Sequence, residues 1–169
     1  MPARADISSR PDRQIRPNVD PLNFIIELGD SERQALGFIP APSIKRRCID
    51  TGNYVIIVDG HQHSRGFLLH GPPRAGRPLH IYQACVEPSY RLRGYAAQAV
   101  AEVARRGRSA GSNEINLRCA CDLPAIAFWS FCGFRLRQHH VGGHMQNRII
   151  AELYYPLCHA PSSRLLFAF

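Results

Sequence analysis

Residues 79–106 constrain this chain more than any other stretch. LHIYQACV, residues 79–86, is apolar and β-rich, and reads as a strand buried in its middle. YRLRGYA, residues 90–96, follows after three residues, and Gly94 to Arg106 then places Ala97, Val100, Ala101 and Ala104 at helical spacing. A strand that turns through glycine straight into a helix aims several free N–H groups at one point. The helix dipole adds partial positive charge there, so the turn is a ready anion nest. Gly94 lets an anion approach the backbone where a Cβ would stand in the way, and Ala96 is small at the second close approach. Arg91 and Arg93 supply charge beside them. The stretch is not a P-loop, because no GK[ST] follows, and it lacks the third glycine of a dinucleotide fingerprint. R-x-x-G-x-A alone recurs by chance; the strand before it and the helix after it make it specific.

The flanking pattern gives a mixed α/β (α+β) architecture. LNFIIEL, residues 22–28, reads as a strand, and Ser43 to Asp50 as a short helix stopped by Gly52. Tyr54–Val58 and Arg65–His70 are β-rich runs joined by the turn signal Asp59-Gly60. GPPRAGRP, 71–78, is a loop by composition. EINLRCA, 114–120, alternates as a strand does, and Asp122 stands where it could cap a helix running to Phe131. Phe134–Arg137 and Asn147–Tyr154 read as a returning strand pair around the loop QHHVGGHM, 138–145. The order implies a mostly antiparallel sheet with helices on both faces. Residues 1–20 are polar, rich in Arg and Pro and without periodicity, and read as a disordered extension. Residues 21–156 form the domain, and the tail 157–169, ending in RLLFAF, is apolar enough to dock on the domain or on a second subunit, which would make a homodimer.

The chain carries 21 Lys and Arg against 13 Asp and Glu, a formal net charge of +8. That balance is compatible with a nucleic-acid partner, although Lys45 is the only lysine, an arginine skew that composition bias alone can produce. Six cysteines sit mostly inside apolar runs with no CxxC pair, the usage expected of free thiols in a reducing, cytoplasmic setting. No apolar run approaches a membrane span, so no membrane partner is expected. His139, His140 and His144 share a glycine-flexible loop without a carboxylate, so no metal site is expected there.

CVEPSYRLRGYA resembles the acetyl-CoA-binding motif of the GNAT family of N-acetyltransferases, [QR]-x-x-G-x-[GA] after a strand ending in V-x-P, with Arg91, Gly94 and Ala96 at the specified positions. DLPAIAFWSFCGF resembles that family's second segment, N-x-x-A-x-x-[FL]-Y-x-x-x-G-F, through Asp122, Ala125, Phe128, Trp129, Gly133 and Phe134. The upstream run from LGFIPAPSIKRRC through the Asp59-Gly60 hairpin to GFLL is similar as well, so the resemblance covers about residues 22–154. It implies an acyl-CoA N-acyltransferase fold with a splayed sheet, acetyl-CoA as co-substrate, and direct attack by an acceptor amine on the thioester in a ternary complex. It assigns Cys85 and Val86 to the pantetheine arm, and Arg91, Leu92, Arg93, Gly94, Tyr95 and Ala96 to the pyrophosphate, with Asp122 near the cofactor. Trp129 occupies the position of the family's tyrosine acid, and an indole N–H does not give up its proton at any useful pH. Tyr82, Glu87, His80 or a water could serve as base, and a loop ending near Arg148 would border the acceptor. Two other readings remain: a nucleobase- or tRNA-modifying acyltransferase, suggested by the charge, and a non-catalytic CoA-binding regulatory module, suggested by Trp129.

Overall fold

The computed structural model describes residues 19–142 and 147–157, so the extension, the end of the tail and His144 lie outside the described residues. Helix α1 spans Pro21–Ser31. LNFIIEL is therefore helical and not a strand. Asp20 caps the helix by accepting from the Asn23 N–H, and Pro21 occupies the first turn, where its missing N–H costs nothing. Leu22, Ile25 and Leu28 recur three apart and turn one stripe inward, a periodicity masked in sequence by Phe24 and Ile26 between them. Helices α2, Arg33–Leu36, and α3, Ala41–Ile44, follow, and α3 runs on as a π turn over Lys45–Ile49.

Among the described residues six strands come next: β1 Tyr54–Val58, β2 Ser64–His70, β3 Leu79–Val86, β4 Glu114–Ala120, β5 Arg135–Val141 and β6 Ile149–Pro156. Helix α4 covers Tyr95–Ser109 and α5 covers Ala125–Phe131. The strand order is β1-β2-β3-β4-β6-β5. The result is a mixed α/β fold with an open, mostly antiparallel sheet. It comprises two compact units, one holding residues up to 72 with 80–106, the other 73–79 with 107 onward.

In the first unit β1, β2 and β3 pair antiparallel, with Ile56 opposite Phe67 and Phe67 opposite Cys85. Phe67, Leu69 and Cys85 bury one face against Ile25 and Leu28 of α1 and Ile44 and Cys48 beyond it. His70 turns instead to Arg106 of α4. Gly66 permits the close approach of β2 and β3, since a Cβ there would lie 2.5 Å from the Cys85 carbonyl oxygen. Asp59 closes the β1–β2 hairpin by accepting from the backbone N–H groups of His61 and His63.

In the second unit β4 pairs with β6, and β6 with β5, all antiparallel. Two expectations change here, at the end of β5 and at Asp122. Residues 138–141 extend β5 and do not form a loop, because Gln138, His139 and His140 pair in register with Glu152, Ala151 and Ile150. Gly107 lies inside α4, where it packs so closely on Leu157 that a Cβ would sit 2.6 Å away. Asp122 does not cap α5: Pro124 stands at that position, and the Asp122 carboxylate is committed to Arg148.

Candidate functional site

Strand β3 ends at Val86, and one 3-10 turn, Pro88–Tyr90, carries the chain off its end. Arg91 is extended, Leu92 takes a left-handed φ of 59°, and Gly94 one of 81°. Helix α4 begins at Tyr95, with the Gln98 N–H donating to the Gly94 carbonyl as an early helical bond. The first N–H groups of any helix lack an intrahelical acceptor. Here they follow directly on a turn that visits the left-handed region twice, the backbone shape of an anion nest. Leucine in that region costs on the order of 1 kcal/mol, and the Leu92 side chain, fully exposed, gains nothing by packing to offset it. A Cβ on Gly94 would meet only the tip of Gln98, so the demand for glycine there comes from φ and from access to the backbone.

Aromatic and ionic contacts brace this loop. The Tyr90 ring lies under the Arg65 guanidinium at 4.3 Å and the Arg93 guanidinium at 5.2 Å, with the Tyr95 ring 6.3 Å away. Arg65 is itself fixed by Asp59 at 2.8 Å and Glu87 at 3.2 Å. Desolvation works against ionisation of Asp59, yet the Arg65 hydrogen bond and the two hairpin N–H groups outweigh it and hold the carboxyl well below the usual range. The β1–β2 hairpin thereby presents a fixed cation to the side of β3 that leads into the glycine turn. Glu87, one of the candidate bases, is occupied in this pairing.

Arg91 does not point outward from the loop. Its Nε donates to the Val86 carbonyl at 2.9 Å, and its Nη2 lies 3.0 Å from the Glu32 carboxylate at the junction of α1 and α2. Cys85 is buried beside this group. Burial pushes its thiol up to about 11, the Glu32 carboxylate adds to the rise and Arg91 opposes it, so the thiol stays protonated. On the same strand the Tyr82 ring sits 5.3 Å from the His80 ring, half-buried against the α1 core. Gln83 is buried and sends its amide to the carbonyls of Leu36 and Gly37, pinning the end of α2. Glu32, Arg65, Tyr90 and Gln83 escaped sequence reasoning. None belongs to a spaced motif, and only Tyr90, next to the glycine turn, stood close enough to draw notice.

In the second unit Trp129 is 7% exposed, its ring edge-on to Phe128 at 5.0 Å and to Phe134 at 5.2 Å. The nearby Cys119 thiol donates to the Ala120 carbonyl at 3.6 Å, and burial pushes it up to about 11. Asp122 makes a forked pair with Arg148, through Nε at 3.1 Å and Nη2 at 2.8 Å, and that hydrogen bonding lowers its carboxyl below the usual value. His140 donates from Nε2 to the Glu152 carboxylate at 2.9 Å, and no group of three metal-ligating side chains occurs among the described residues.

The sequence profile of the acetyltransferase (GNAT) family matches residues 13–134. No curated protein matches the chain. Among solved structures, Ard1 from Thermoplasma volcanium aligns with a TM-score of 0.69 at 10% identity, over 82% of this chain and 92% of its own. NAA60 from Arabidopsis thaliana, solved with a bisubstrate analogue, aligns at 0.67 with 19% identity over 82% and 94%. The spermidine N-acetyltransferase from Vibrio cholerae, solved with CoA and spermine, aligns at 0.65 with 15% identity over 80% and 89%. At these identities the likeness shows the fold alone, whereas the profile spans most of the chain and both of its motif-bearing segments. The chain belongs to the acetyltransferase (GNAT) family.

Proposed function

We propose that the chain transfers an acetyl or similar acyl group from acyl-CoA to an amine acceptor, by direct attack in a ternary complex. The observation that carries this reading is the strand end at Val86 followed by two left-handed residues, Leu92 and Gly94, at the start of a 15-residue helix. That backbone suits a diphosphate: N–H groups of residues 92–96 would receive it, with Arg93 beside them and no Cβ at Gly94 to hold it off. Cys85 and Val86 would contribute strand backbone to the pantetheine arm. The spermidine N-acetyltransferase among the similar structures takes a polyamine, which fits an amine as the acceptor class.

The chemistry follows from what these side chains can do. Cys85 and Cys119 are buried and held protonated, so neither offers a thiolate for an acyl-enzyme, which fits the proposed direct attack of the amine lone pair on the thioester carbonyl. Trp129 can donate a hydrogen bond but no proton, so the departing thiolate leaves unprotonated or takes its proton from water or from a neighbour such as Cys121. Tyr82 is the β3 side chain to test as base, and its replacement by Phe would lower kcat by about 10²-fold if it accepts the amine's proton. A reducing, cytoplasmic setting fits the five described cysteines, all of them free.

The first test is thermal stability with CoA and acetyl-CoA. Ligand at 100-fold over its Kd stabilises by about 2.7 kcal/mol, roughly 5–10 °C for a chain of this size. The absence of any shift with either compound would remove the basis for acyl transfer.

A further inference from the structure

Arg91 fills the first position of the cofactor motif, where its charge suggests a partner for the diphosphate. Its geometry points elsewhere. The Cys85 carbonyl faces β2, as its closeness to Gly66 shows, and the Glu87 N–H also donates toward β2, to Arg65. Strand alternation therefore turns the Val86 N–H and carbonyl to the other edge of β3. The Arg91 Nε donates to that carbonyl at 2.9 Å, while Nη2 is anchored on Glu32 at 3.0 Å. One planar guanidinium thus spans a backbone acceptor on β3 and a carboxylate on the helical side. Lysine, with its single ammonium, would not reproduce that fork.

We propose that Arg91 is a positioning residue for the pantetheine arm and not a ligand of the diphosphate. Held at its far end by Glu32, it fixes the orientation of the Val86 peptide, the strand edge that the Proposed function gives to the pantetheine amides, and this inference rests on that reading. A carbonyl has two lone pairs, so the Val86 oxygen can keep Arg91 and still receive a second N–H. Diphosphate recognition is left to backbone N–H groups and Arg93.

The experiment compares two ligands by isothermal titration calorimetry. CoA carries both halves of the cofactor; 3′-phosphoadenosine 5′-diphosphate carries the phosphates without pantetheine. Arg91→Ala is expected to weaken CoA about tenfold, the scale of one charge-assisted hydrogen bond, and to leave the fragment within about twofold. Arg91→Gln is expected to restore CoA to within about threefold of the parent. Glu32→Gln, which frees the far end of the fork, is expected to weaken CoA by about threefold and spare the fragment. Equal losses for both ligands in Arg91→Ala, failure of Gln to rescue, or tighter CoA binding in Glu32→Gln would each overturn the proposal, because each is what a phosphate-binding guanidinium predicts. No change in either ligand on Arg91→Ala also overturns it. If the parent protein binds neither ligand, the underlying reading fails instead, and the two failures are distinguishable.

Discussion

Gly94 and Leu92 carry unequal burdens at the same turn. Leucine can be held at φ 59° at a modest cost, but the residue at φ 81° precedes the helix and leaves its N–H groups accessible. Gly94→Val puts a β-branched side chain at positive φ, where strain of about 1–3 kcal/mol is expected. A Cβ at Gly94 has open space around it, so the fold should survive. The expected outcome is a folded protein, melting a few degrees lower, whose CoA affinity falls at least tenfold; unchanged affinity would show that the turn is not the anion site. This residue was legible in the sequence because glycine between a strand and a helix has a specific backbone meaning. Arg91 was legible only as a charge. Its direction depends on Glu32, 59 positions earlier, and no local pattern encodes a partner at that distance.

Elements were legible where a periodicity stood alone. β3 and β4 alternate, β1 and β2 are apolar runs flanking a turn signal, and α4 shows its small-residue stripe. α1 was misread because Leu22, Phe24, Ile25, Ile26 and Leu28 satisfy both a strand and a helix, and Asp20-Pro21 decides the matter through capping. β5 was cut short because glycine and histidine composition suggested a loop, whereas pairing with β6 supplies its hydrogen bonds. The short helices that follow α1 depend on tertiary anchoring. α2 has four residues and no side-chain cap, and the buried Gln83 amide holds its final carbonyls. Gln83→Leu removes that donor at similar volume. It should lower stability by about 1 kcal/mol in urea unfolding and raise hydrogen exchange selectively in residues 33–37, while exchange in β1 and β2 stays as before.

At the scale of the molecule, the net charge of +8 is not a sheet of free cations. Arg65, Arg91, Arg105, Arg106, Arg137 and Arg148 each contact a carboxylate. The pairings also set the response to acid. His70 is 1% exposed, its Nδ1 donating to the Gly71 carbonyl at 2.7 Å and its Nε2 accepting from Arg106 at 3.3 Å. Burial, reinforced by Arg106, lowers it from 6.5 to about 4. Because the folded value lies below the unfolded one, the unfolded chain binds more protons as pH falls. Stability present above pH 6.5 is therefore lost down to about pH 4. Between pH 7 and 5 the loss from this group is about 2 kcal/mol, readable as a drop in the urea midpoint that His70→Gln makes shallower. Glu102 and Asp122, whose carboxyls are lowered, add their own loss only at more acidic pH.

The inward-facing thiols bear on a hazard for any protein that handles coenzyme A, whose disulfide exchanges with accessible cysteines. Exchange requires a thiolate and a path to it. Cys85 and Cys119 have neither: each is buried and held near 11, and Cys85 sits one residue from the strand end where the coenzyme would lie. Were the coenzyme to lie there, as proposed, its disulfide would find no reactive thiol at Cys85 or Cys119.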